Sequence, residues 1–181
     1  MATRKNFELR SVIYAAACLA LAIVLPFLTG GNAALGQMFC PMHIPVFLCG
    51  FIAGPFWGGA VGFLAPFLRF LVFGSPALYP MAVRMSAELL VYGLSAALFY
   101  RYLPKKPAGI CISLICAQLF GRIAWGVVQF ALSIINPEFP FSVEFVIAQT
   151  LTPAIYGILL QIVIIPPVVW AMQKAKYISK Y

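Results

Sequence analysis

The sequence predicts an all-α integral membrane protein with six transmembrane helices, both termini cytoplasmic, and a single domain over residues 1–181. Composition is the first reason. Hydrophobic residues make up 64% of the 181 and charged residues 9%, and mean hydropathy is +1.00. A soluble domain carries about a quarter of its residues as charges. This chain therefore has too little charge to cover a water-facing surface, and it is too apolar for a disordered one. Run length is the second reason. A helical span takes roughly 20 apolar residues, so about 30 residues per span and loop leaves room for six. The third is the side on which the basic residues fall.

The first span covers about Ser11–Leu28 and stops at Thr29-Gly30-Gly31-Asn32. It is long enough to cross and reads as a retained helix rather than a cleavable signal. The second, about Met42–Ala53, is short and ends at Gly54-Pro55. The third runs about Trp57–Phe73 to Gly74-Ser75-Pro76, and the fourth about Pro80–Tyr102 to Pro104-Lys105-Lys106-Pro107. The fifth is about Ala108–Ile135, ended by Asn136-Pro137, and the sixth about Phe141–Met172. Gly and Pro punctuate the connections, which are short and make neighbouring spans antiparallel. Ala33–Pro41 is longer and mixed in character, and is expected to fold back over the outer mouth.

With the N-terminus in the cytoplasm, six spans return the C-terminus there. The cytoplasmic segments then hold Arg4, Lys5, Arg10, Arg101, Lys105, Lys106, Lys174, Lys176 and Lys180, nine of the twelve basic residues. The outer connections at 29–41, 74–79 and 136–140 hold no Lys or Arg. That is the positive-inside asymmetry of a multi-pass protein. Short basic clusters beside apolar runs also remove the nucleic-acid reading that a net charge of +8 invites.

The remaining basic residues, Arg69, Arg84 and Arg122, fall inside spans, as does Glu88. Charges within a bilayer are costly and face a cavity or each other. Arg69 is four residues from the outer end of its span, Arg84 about one turn below the outer end of the next, and Arg122 near the middle of the fifth. Glu88 follows Arg84 by four residues, so the two share a helix face and are expected to pair. Three arginines against one glutamate leave two positive charges, unless Glu138 or Glu144 of the last outer loop folds inward. Surplus guanidinium suits an anionic ligand, which it grips through a bidentate fork. The competing reading is that the arginines bond backbone carbonyls at broken helices.

Gln118, Arg122, Trp125 and Gln129 share one face of the fifth span. Gln149 and Thr152 lie in the outer half of the sixth, and His43 opens the second. The expected substrate-binding set is therefore His43, Arg69, Arg84, Glu88, Arg122, Trp125, Gln129 and Gln149. Interface anchoring or core packing competes for Trp125, and a solvated or capping role for His43. Small residues at four-residue spacing, Ala16 with Ala20, Gly50-Gly54-Gly58-Gly62 and Gly93 with Ala97, let helices approach closely. They serve either internal packing or docking of another membrane protein.

Enzymatic readings find no support. The chain has no Asp, no GxSxG, no phosphate loop and no clustered acids. One His and four Glu do not make a structural metal site, and no catalytic residue, metal or cofactor is expected. The five cysteines, Cys18, Cys40, Cys49, Cys111 and Cys116, form no CxxC pair and read as small hydrophobes.

Leu35-Gly36-Gln37-Met38 followed by Pro41-Met42-His43-Ile44-Pro45-Val46, and Pro80-Met81-Ala82-Val83-Arg84-Met85-Ser86-Ala87-Glu88-Leu89 with Tyr92-Gly93, resemble the substrate-binding S components of energy-coupling-factor (ECF) vitamin transporters. Ala16-xxx-Ala20 resembles the small-residue motif by which such subunits dock. The resemblance implies a subunit of the bacterial plasma membrane. It would capture a micronutrient from outside with help from the first loop, then dock on a membrane scaffold carrying two cytoplasmic ATPases. Members take pantothenate, pyridoxine-like or pyrimidine compounds, folate, riboflavin, thiamin, biotin or a queuosine precursor. Surplus arginine favours pantothenate, followed by pyridoxine or hydroxymethylpyrimidine. The alternative is a structural or assembly membrane protein that oligomerises through its glycine-rich faces, with no transported ligand.

Overall fold

The computed structural model describes residues 2–30, 32–150 and 154–175. Among the described residues, eight α-helices follow in order: α1 Ala2–Val24, α2 Ala33–Phe39, α3 His43–Ala53, α4 Pro55–Phe73, α5 Val83–Tyr102, α6 Pro107–Ile135, α7 Val143–Thr150 and α8 Ile155–Lys174. No strand occurs among the described residues. Six helical stretches among the described residues are long and apolar enough to cross a membrane, one of them combining α2 and α3 as Ala34–Ala53. Large apolar side chains such as Ile123, Val127 and Val163 point outward, each more than 60% exposed. Lipid contact explains that; water does not.

Local chemistry sets the breaks. Pro26 tightens the end of α1 into a 3₁₀ turn over Leu25–Thr29. Asn32 then caps α2, its side chain accepting from the amides of Ala34 at 2.9 Å and Leu35 at 3.4 Å. The stretch expected to fold over the outer mouth is thus a short helix. It ends at Cys40, held at φ 46° with its thiol donating to the Gln37 carbonyl at 2.9 Å. A single residue, Gly54 at φ 96°, joins α3 to α4, and Pro55 starts α4 where its missing N–H costs nothing.

The sixth span departs from expectation. Instead of one helix over Phe141–Met172 there are two, α7 and α8, on either side of residues 151–153; these, Thr152 among them, lie outside the described residues, as do Lys176 and Lys180. In the sequence this interval holds Pro153, which lacks the N–H that a continuing helix needs.

The centre of the bundle is the packing of α3, α4 and α5. A Cβ added at Gly58 would lie 2.6 Å from the Gly50 Cα and 2.6 Å from the Gly93 carbonyl oxygen; one at Gly93 would lie 2.1 Å from the Gly58 oxygen. The backbones touch, as small residues allow in lipid. The glycine ladder is therefore spent inside the subunit. Ala16 and Ala20 differ: they are exposed, while Ala15, Cys18 and Ala22 form the buried face of α1.

Candidate functional site

A cavity of about 420 Å³ opens at the end of the bundle where α1, α4 and α6 finish and α3, α5 and α8 begin. The Gly54-Pro55 link and the basic loop between α5 and α6 lie at the other end. Of the residues expected to form a site, His43, Arg69, Arg84, Glu88, Arg122, Trp125 and Gln149 line this one cavity. Gln129 does not line it but stands behind Arg84 and holds it. Ala16 and Ala20 are elsewhere, on the outer face of α1.

The floor is a charge network in which the Nε of Arg122 lacks a partner. Glu88, 3% exposed, accepts from Nη1 of Arg122 at 2.6 Å and from the Tyr92 hydroxyl at 2.7 Å. The Arg122 guanidinium also sits over the Tyr92 ring, 5.9 Å from its centroid. The expected Arg84–Glu88 pair is thus corrected: Glu88 pairs across to α6. Helical side chains lean toward the N-terminus, so Arg84 reaches away from Glu88. An acid placed C-terminal to a base is also the weaker order for such a pair. His43 packs against Tyr92 with ring centroids 5.4 Å apart. It is 5% exposed, and neither ring nitrogen has a hydrogen-bond partner.

The upper wall is built around Arg84, in the first turn of α5. Its Nη1 donates to Oε1 of Gln129 at 2.6 Å, and its guanidinium lies 5.1 Å from the Trp125 ring centroid. Gln129 is fully buried and donates through Nε2 to the Pro140 carbonyl at 2.8 Å. Both faces of its amide are committed to holding Arg84 and the loop after α6. The Arg84 Nε has no partner. Arg69 donates to the Ile23 carbonyl at 3.2 Å and lies 5.6 Å from the Phe27 ring centroid. It therefore combines the backbone-bonding role weighed against it with a place in the cavity wall. No carboxylate pairs with Arg69 or Arg84 among the described residues, and Glu138 and Glu144 stay exposed outside the cavity. Two uncompensated guanidinium groups thus remain.

Gln118 belongs to the core rather than the cavity, donating to Gln161 of α8 at 2.9 Å. Met81 and Met85 supply apolar wall that sequence reasoning missed. The signal was present, because Met81, Arg84, Met85 and Glu88 follow the spacing of one helix face. Thr29, Asn32, Gln37, Ser75 and Thr150 complete the polar rim. Most come from loops and short turns, where no periodicity marks them. A concave site with apolar walls and a few convergent polar groups is the general form of a small-molecule site.

A family model described as ECF transporter, substrate-specific component, matches residues 10–173. No curated protein and no solved structure matches the chain.

Proposed function

The chain belongs to the substrate-specific components of ECF transporters, multi-pass membrane transport subunits, and from that premise we propose that it captures a vitamin-like anion from outside the bacterial plasma membrane. The observation that carries this reading is Arg84: an arginine in a membrane-spanning helix, lining a cavity, with no carboxylate partner among the described residues. An arginine at the centre of a spanning helix costs about 2.5–3.5 kcal/mol on the insertion scale, and Arg84, one turn from the outer end, meets part of that cost. An anionic ligand offsets it through charge-assisted hydrogen bonds. Pantothenate is the leading ligand, for its carboxylate and its modest size against a cavity of about 420 Å³.

The orientation follows from the basic residues, which put both termini in the cytoplasm and the cavity outside. The exposed Ala16–Ala20 face of α1 is proposed as the surface that meets the scaffold subunit, through which two ATPases drive release inside. Assembly through the glycine ladder is disfavoured, since Gly50, Gly58, Gly62 and Gly93 are buried against one another and against Leu89.

The test is accumulation of radiolabelled pantothenate by proteoliposomes holding this chain, a scaffold and two ATPases. ATP-dependent uptake that needs this chain supports the reading. Binding and uptake indistinguishable from empty vesicles, for pantothenate and for the family's other micronutrients, would contradict it.

A further inference from the structure

Arg84 and Arg122 line the same cavity, but their charges are not equally free. The Arg122 charge is neutralised by Glu88 at 2.6 Å, although its Nε, like that of Arg84, has no partner. Arg84 faces only a neutral amide, and that contact fixes its plane: Gln129 holds Nη1 at 2.6 Å while the Trp125 ring lies 5.1 Å away. The edge carrying Nε, which has no partner, is left to present the two-donor fork that matches a carboxylate. The floor offers that group no free counter-charge, because the Arg122 guanidinium there is already neutralised by Glu88. What the floor offers instead is His43, 95% buried by its 5% exposure, with both ring nitrogens unpartnered. An uncharged imidazole supplies one donor and one acceptor, which suits a hydroxyl or an amide.

Resting on the capture reading above, we infer that the ligand is an elongated monocarboxylate, its acid on Arg84 and a neutral hydroxyl or amide on His43. The helix sets the length. His43 lies at the level of Glu88 and Tyr92, four and eight residues beyond Arg84 on α5, which at 1.5 Å per residue is roughly 6–12 Å. A short ring acid such as nicotinate does not span that distance. A diacid would bring its second charge to a floor whose one cation, Arg122, is already neutralised. An uncharged micronutrient leaves Arg84 unanswered.

The test starts by equilibrating the purified protein with an equimolar pool of D-pantothenate, biotin, nicotinate, pyridoxine, riboflavin and panthenol, and identifying what survives desalting by mass spectrometry. Calorimetry then compares the retained acid with its uncharged alcohol or amide, in wild type, Arg84→Met, Arg84→Lys and His43→Phe. The expected result is retention of a long monocarboxylate, preferred by wild type at least tenfold over its uncharged derivative. Arg84→Met abolishes that preference. Arg84→Lys, which keeps charge without the fork, lowers it. His43→Phe weakens both compounds several-fold and leaves the preference in place. Best retention of nicotinate or of an uncharged compound, or an unchanged preference in Arg84→Met, would overturn the inference while leaving capture standing. A folded protein that retains nothing from the pool would overturn capture, and the inference with it.

Discussion

Arg122 at the floor of the cavity and Arg84 at its upper wall are treated oppositely. At the floor, Arg122 is neutralised by Glu88 and braced by Tyr92. At the upper wall, Arg84 is positioned by an uncharged glutamine and an indole, with its charge left over. A neutralised pair contributes to architecture and little to recognition. An oriented, uncompensated cation contributes to recognition at the expense of stability. The difference teaches that burial alone does not identify a binding residue in a membrane protein; the state of its counter-charge does.

The comparison breaks most severely at the floor. Glu88→Ala leaves the Arg122 guanidinium buried without its partner, and removing one member of a buried pair typically costs about 3–5 kcal/mol. A correspondingly large fall in the thermal unfolding midpoint of the detergent-purified protein is expected, together with reduced yield. Next in size is Arg84→Met. It should weaken binding of the retained acid at least tenfold, about 1.4 kcal/mol, with an unfolding midpoint at or above that of wild type. Calorimetric titration and a thermal melt on the same preparation check both halves. Gln129→Leu should come third, weakening binding several-fold by releasing Arg84 and the Pro140 loop, and raising the off-rate more than it lowers the on-rate.

A different pair of small-residue faces sharpens the same lesson. Gly58 and Gly93 are pressed backbone to backbone, whereas Ala16 and Ala20 look outward. Ala16→Leu should therefore leave binding and stability within error of wild type and abolish ATP-driven uptake in the reconstituted system. Lost ligand binding in that variant would move the face from docking to packing. The smallest effect is expected at Lys106, exposed in the loop between α5 and α6, where Lys106→Met should change neither affinity nor midpoint.

Much of the architecture is legible in the sequence, for identifiable reasons. Apolar runs stand out in a chain that is 9% charged, and Gly54-Pro55 and Gly74 mark ends that the helices respect. The interior charges stand out for the same reason, and seven of the eight residues expected to form a site line one cavity. Their partners do not stand out. The spacing of Arg84 and Glu88 suggests a pair along one helix, but the register of α5 against α6 decides the matter, and register is a tertiary property. The separate starts of α7 and α8 are not marked by hydropathy, because the sequence stays largely apolar from Phe141 to Met172. Rim residues such as Thr29 and Ser75 come from turns, whose path no periodicity encodes.

The division of labour between the two arginines is most directly tested by measuring Arg84→Met and Arg122→Met side by side, each for unfolding midpoint and for affinity toward the acid the wild-type protein retains. The expected pattern is crossed: Arg84→Met loses affinity at least tenfold and keeps its midpoint, while Arg122→Met loses midpoint first and, where folded, still prefers the acid to its uncharged derivative. If Arg84→Met binds the acid as wild type does, or if Arg122→Met alone erases the preference for the acid, the free cation is not Arg84 and the division is contradicted.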